Sequence, residues 1–239
     1  MKTKRRLRAV TAGQVGALAV VALVAYGLKR HYADATTDAL SWILTPTAHV
    51  VGLVTGVAFA AVPGEGYFSA ERMFLIEKAC AGVNFMIAAF AMVAFALLHH
   101  ARSFRGSVAV VGLSLLASYV AAIVVNAVRI VIAMWLAAQP MLWTTLTAAE
   151  IHRLEGITVY FGGLLLLYSL VQRLDRGEFT YALPLGCYYL VAVGVPLVNG
   201  TRAGEAFFAH VAIVLFLPPA LILFVCAARR LVSTLVPSA

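Results

Sequence analysis

Charge is scarce in this chain: 12% of its 239 residues are Asp, Glu, Lys or Arg, against 63% hydrophobic residues, and the mean hydropathy is +0.95. That little charge cannot coat a soluble fold, and several apolar runs exceed the ~18 residues that cross a bilayer, so a soluble domain is excluded. Cysteine is scarcer still. Cys80, Cys187 and Cys226 form no CxxC pair, which rules out a disulfide framework, and the latter two lie inside apolar runs where packing accounts for them. HExxH, GxSxG and phosphate-binding glycine loops are missing, which argues against zinc proteolysis, serine hydrolysis of the usual type and nucleotide hydrolysis. No internal repeat, low-complexity segment or soluble domain interrupts the chain. The net charge of +8 would fit nucleic acid, but five of the eighteen Lys and Arg residues (Lys2, Lys4, Arg5, Arg6 and Arg8) sit directly before an apolar run. That is a cytoplasmic anchor, not a nucleic-acid-binding face.

What is present reads as an all-α, polytopic helical integral membrane protein, one domain over residues 1–239. Ala9 to Leu28, followed by Lys29-Arg30-His31, is expected to be an uncleaved signal anchor, although Ala33-Asp34-Ala35 is a cleavage-like triplet. Five further spans are predicted: Ala79 to Leu98, Ser107 to about Val125, Gly156 to Val171, Tyr181 to Val198 and Phe207 to Ala228. The stretch Leu44 to Val62 is apolar but bracketed by Pro46 and Pro63, with Gly52 and Gly56 at GxxxG spacing; it either crosses or dips in and returns. If it returns, the arginines after Leu98, after Val171 and after Ala228 share the cytoplasm with the N-terminus, and eleven of eighteen basic residues lie inside. If it crosses, the division is ten against eight. In both cases the segment before Ala79, the end of the Ser107 helix and the start of the Gly156 helix share one side of the membrane.

Three groups of polar residues fall on that side. Cys80 sits where the charged stretch Gly64 to Lys78 meets an apolar span, in the expected first turn of a helix, where the helix N-terminus and Lys78 would favour thiolate. An inert packing cysteine is the alternative. Asn126 and Arg129, three apart on one helical face, interrupt an apolar run. Ser107 to Val125 is about 28 Å of helix, so Arg129 emerges near the interface, as either a site residue or a snorkelling anchor. His152 and Gly156 are one helical turn apart, the glycine leaving room for a backbone or a substrate. Glu150 and Glu155 would raise the imidazole's basicity if they face it, or simply belong to a solvated loop. His31, His49, His99, His100 and His210 are weaker candidates with ordinary structural roles, His99 and His100 falling on the opposite side.

Cys80-Ala81-Gly82, Asn126-x-x-Arg129 and His152-x-x-x-Gly156, in this order and at helix ends on one side, resemble the three signature motifs of the exosortase/archaeosortase family. The resemblance covers roughly residues 70–172. The chain length and the Ala81-Gly82-Val83-Asn84-Phe85 run are most similar to the small exosortase K branch; Ala81 stands where a serine is frequent, and Glu77 lies three residues before the cysteine instead of two. The resemblance implies a cysteine protease or transpeptidase of the bacterial inner membrane, its site facing the periplasm. Its partner would be a C-terminal sorting signal of PEP-CTERM type, made of a short motif, a transmembrane helix and a basic tail. Cys80 would be the nucleophile, His152 the proton shuttle and Arg129 the stabiliser of thiolate or oxyanion, with Asn126, Gly82 and Gly156 in support. The acceptor would be water or an envelope lipid or glycan, and neither a metal nor an organic cofactor is needed. Two other classes compete: a non-enzymatic scaffold for polysaccharide export, and a small transporter whose pathway Arg129 and His152 would line. The absence of an inverted repeat counts against transport.

Overall fold

The computed structural model describes residues 11–139, 147–198 and 205–235. The basic cluster from Met1 to Arg8 lies outside them. Helix α1 (Ala12–Asp34) opens on a capping box in which Thr11 and Gln14 satisfy each other's backbone N–H groups. It does not stop at Leu28. Lys29, Arg30 and His31 extend it, held by Lys29 Nζ on the Asn84 side-chain oxygen at 2.8 Å and by an Arg30–Asp34 pair one turn apart. Only Ala17 and Val21 of α1 are buried, so most of its surface is left for lipid.

The next segment settles the doubtful stretch. Helix α2 (Ser41–Thr55) ends after 15 residues, because Gly56 takes the left-handed conformation (φ 71°). The chain then turns back as a three-stranded antiparallel sheet, β1 (Ala60–Val62), β2 (Gly66–Ser69) and β3 (Phe74–Ile76), in the order β1-β2-β3. The β1–β2 turn needs glycine: a Cβ on Gly66 (φ 126°) would lie 2.2 Å from the Ile76 carbonyl oxygen. The Gly64 N–H donates to the Asp38 carboxylate at 3.0 Å, so the segment ends beside its own beginning. Leu44 to Val62 therefore does not cross, and the net topology is that of re-entry. The sheet was not expected from the sequence, and it is a small addition to an otherwise helical protein.

The remaining helices form the bundle. Helix α3 (Val83–Ala96) is its centre: ten of its fourteen residues are buried, as an all-round apolar helix must be. Helix α4 (Phe104–Ala137) has 34 residues, about 51 Å, and runs well past the ~30 Å hydrocarbon thickness. Its last turns, with Val131 and Trp135, face the end of α2 and the Glu71–Arg72 turn of the sheet across a shared cleft. Helix α5 (Ala148–Asp175) starts on a second capping box, Thr147 with Glu150. That cap carries the helix back through the stretch read as a loop, so His152 and Glu155 stand within its first turns and not ahead of them. Gly163 lets α5 approach α4 closely; a Cβ there would meet Val125 at 2.7 Å.

Helix α6 (Ala182–Tyr189) continues through a π turn (Leu190–Gly194) into the short α7 (Val195–Val198), and α8 (Glu205–Leu235) contains Pro218 and Pro219. Among the described residues five helical stretches have the length and hydropathy to cross a membrane, and in place of the expected span Tyr181 to Val198 there is a shorter apolar helical stretch, Ala182–Leu197. The protein is an all-α polytopic helical membrane protein. Its two ends are distinct. The start of α1 meets the α3–α4 connection (Gln14 Nε2 to the Leu98 carbonyl, 3.2 Å), and that connection meets the end of α5 through His100 and Asp175. At the other end the α1 C-terminus, the residues before α3, the upper part of α4 and the start of α5 converge.

Candidate functional site

Cys80 does not lie inside a helix. It ends a 3-10 turn (Lys78–Cys80), its N–H donating to the Glu77 carbonyl at 2.8 Å, and Gly82 (φ 68°) breaks the chain before α3 begins at Val83. The glycine is required twice over, since a Cβ would be strained in the left-handed region and would sit 3.1 Å from the Asn126 side-chain carbon. Nor does Lys78 serve the thiol. Its ammonium donates to the Ala33 and Ala35 carbonyls at 3.1 and 2.7 Å and neutralises the C-terminal end of α1. The cation with an electrostatic interaction with Cys80 is Arg129.

Asn126 and Arg129 share the inner face of α4 and both are buried, Arg129 with 6% of its surface exposed. The Asn126 amide donates to the Cys80 carbonyl, fixing the turn that carries the thiol. Its oxygen accepts from the Tyr160 hydroxyl at 2.9 Å, and that hydroxyl accepts from Arg129 Nη1 at 3.2 Å. The guanidinium also lies over the Tyr160 ring, 5.2 Å from its centroid. Arg129 Nη2 is 2.5 Å from His152 Nε2. A guanidinium only donates, so the facing ring nitrogen accepts. The Arg129 Nε lies 3.3 Å from a Glu155 carboxylate oxygen, but neither partner makes an aligned hydrogen bond there, so this is a charge contact in a buried place. Gly156 lets the guanidinium lie against α5, where a Cβ would meet Nε at 3.4 Å.

One continuous chain of contacts therefore links the three motifs, from the Cys80 carbonyl through Asn126, Tyr160 and Arg129 to His152. One member, Tyr160, was not singled out from the sequence. Tyr160 stands eight residues after His152 and four after Gly156, helical spacing that puts all three on one stripe of α5. Glu155 was read with Glu150 as a neighbour of the imidazole. The structure instead gives Glu155 to Arg129 and Glu150 to the helix cap.

A cavity of about 540 Å³ opens beside this network, between α3, α5, α6 and α8. Its charged lining residues are Lys29, Arg129 and Arg153, joined by the imidazoles of His152 and His210 and set among Phe85, Ile157 and Val191, with no carboxylate among them. Cys80 is not part of its wall, and 9% of the residue is exposed. No family model, curated protein or solved structure matches this chain. Fold and site together define a helical membrane protein in which buried Asn126 and Arg129, half-buried Tyr160 and exposed His152 form one network anchored to a cysteine-bearing turn.

Proposed function

We propose that this chain is an exosortase-like cysteine transpeptidase that cleaves a C-terminal sorting signal at the membrane surface. The observation that carries the reading is the convergence of the three motifs on one network, with Arg129 Nη2 at 2.5 Å from the His152 ring and Asn126 bonded to the Cys80 carbonyl. In the first step the Cys80 sulfur attacks the scissile carbonyl carbon, a C–S bond forms, and the carbonyl oxygen becomes an oxyanion that Arg129 stabilises. His152, once its accepting ring nitrogen is released from Arg129, accepts the thiol proton and returns it to the departing amine nitrogen as the C–N bond breaks, leaving a thioester and a free C-terminal fragment. Water or an envelope lipid or glycan hydroxyl or amine then gives its proton to His152, attacks the thioester and regenerates the thiol.

The burial of Cys80 away from the cavity wall favours a second reading, a scaffold in which the network is structural. Processing of a tagged target protein, ending in a short motif, an apolar helix and a basic tail, separates the two by its size shift. Cys80→Ala is expected to abolish processing with membrane levels unchanged, and His152→Gln to slow it by roughly 10²–10⁴-fold. Unimpaired processing by Cys80→Ala would refute covalent catalysis at this residue.

A further inference from the structure

At the end of the bundle opposite Cys80, His99 and His100 leave the 3-10 turn between α3 and α4 and face Asp175, the last residue of α5. His99 Nε2 lies 3.2 Å from one Asp175 oxygen and His100 Nε2 lies 2.7 Å from the other. The two rings are 4.0 Å apart, and one ligand atom from each residue falls within 4.8 Å of the others. The decisive contact is on the far side of His99, whose Nδ1 is 3.2 Å from the Ala96 carbonyl oxygen. A carbonyl only accepts, so Nδ1 carries the proton, and a neutral ring then aims the Nε2 lone pair at a carboxylate. Two acceptors 3.2 Å apart repel unless a proton or a metal cation lies between them. A divalent cation instead satisfies both rings and the carboxylate at once, and a carbonyl on the distal nitrogen is the usual orienting contact of a metal-bound histidine.

We propose that His99, His100 and Asp175 form a site for a first-row divalent transition cation, zinc foremost, that staples the α3–α4 connection to the end of α5. Two imidazoles and one carboxylate suit zinc and leave a fourth position for water. Magnesium and calcium depend on several oxygen ligands, whereas the neighbouring sequence supplies Arg102, Arg105, Arg173 and Arg176 around a single carboxylate. The staple joins the far ends of the two helices whose opposite ends carry Gly82 and His152, and it is independent of the proposed catalysis.

The test uses the full chain in lipid nanodiscs, carrying a tag without histidine and stripped with a chelator before zinc chloride is added. One zinc per chain should be retained after desalting, with a raised thermal midpoint. Asp175→Asn, which preserves side-chain shape, and His99→Ala should each weaken binding at least about tenfold. Cys80→Ala and His152→Gln should bind as the parent does. Cobalt(II) should give a visible spectrum without a thiolate charge-transfer band. Retention of no zinc, equal retention of magnesium, or loss of the zinc in the Cys80 or His152 variant instead of the Asp175 variant would overturn the proposal.

Discussion

Arg129 uses all three of its nitrogens in different directions: Nη1 toward Tyr160, Nη2 toward His152 and Nε toward Glu155. A lysine has one point charge and cannot span these partners. Arg129→Lys is therefore expected to reduce substrate processing by roughly 10²-fold or more while the protein stays in the membrane, as loss of an oxyanion donor does. Wild-type processing by the lysine variant would return Arg129 to the role of an interface anchor. Tyr160 is the hinge of the relay, donating to Asn126 and accepting from Arg129. Tyr160→Phe keeps the ring over the guanidinium but removes both bonds, so a stability loss of about 1–3 kcal/mol is expected, read as a lower thermal midpoint in detergent. An unchanged midpoint would mean that the hydroxyl holds nothing. At Gly82 the left-handed backbone and the Asn126 contact act together. Gly82→Ala should cost about 1–2 kcal/mol from the backbone alone, visible in the same melting experiment.

At the scale of elements, the site depends on how closely α5 lies against α4. His152, Gly156, Tyr160 and Gly163 form one stripe of α5, and Gly163 is its tightest point, where a Cβ would lie 2.7 Å from Val125 and 3.4 Å from Phe85. Gly163→Leu is expected to push the helices apart. Its signature would be a lower melting midpoint together with processing as poor as that of Arg129→Lys; unimpaired processing would show that α5 repositions without disturbing His152. The helical spacings that expose this stripe were legible in the sequence, as was the shared side of Cys80, Arg129 and His152. Element boundaries were less so, for local reasons. Thr147 and Glu150 cap α5 early, and Gly82 ends the turn at Cys80 before the helix begins. The sheet stayed hidden because β1 and β3 have only three residues each, too few to show an alternating pattern. The direction of Lys78 toward the carbonyls of α1 could not be read from the sequence, because it depends on a helix more than forty residues away.

For the whole molecule, the distribution of charge between the two ends supports the orientation we propose, with the His152 end outward. The end without the relay gathers the loops with Arg102, Arg105, Arg173 and Arg176, and the five basic residues from Lys2 to Arg8 directly precede the start of α1 at that end. An excess of Lys and Arg in short connections marks the cytoplasmic side, so we expect this end inside, although Lys29, Arg30, Arg72, Lys78, Arg129 and Arg153 belong to the opposite end. The overhang of α4 agrees with this arrangement: counted from Phe104, about 20 residues cross the hydrocarbon, so Asn126 and Arg129 lie just beyond it, level with the cysteine turn. The sheet and the end of α2 stand beside the last turns of α4 at the same end as His152, which in the proposed orientation is the side where a secreted substrate would arrive. In a background with Cys80, Cys187 and Cys226 replaced by alanine, Ser103→Cys should react with a membrane-impermeant maleimide only after the cells are opened. Glu65→Cys, at the exposed β1–β2 turn, should react in intact cells. The two variants exchange behaviour if the orientation is inverted, and that outcome would place the His152 end in the cytoplasm, out of reach of a translocated sorting signal.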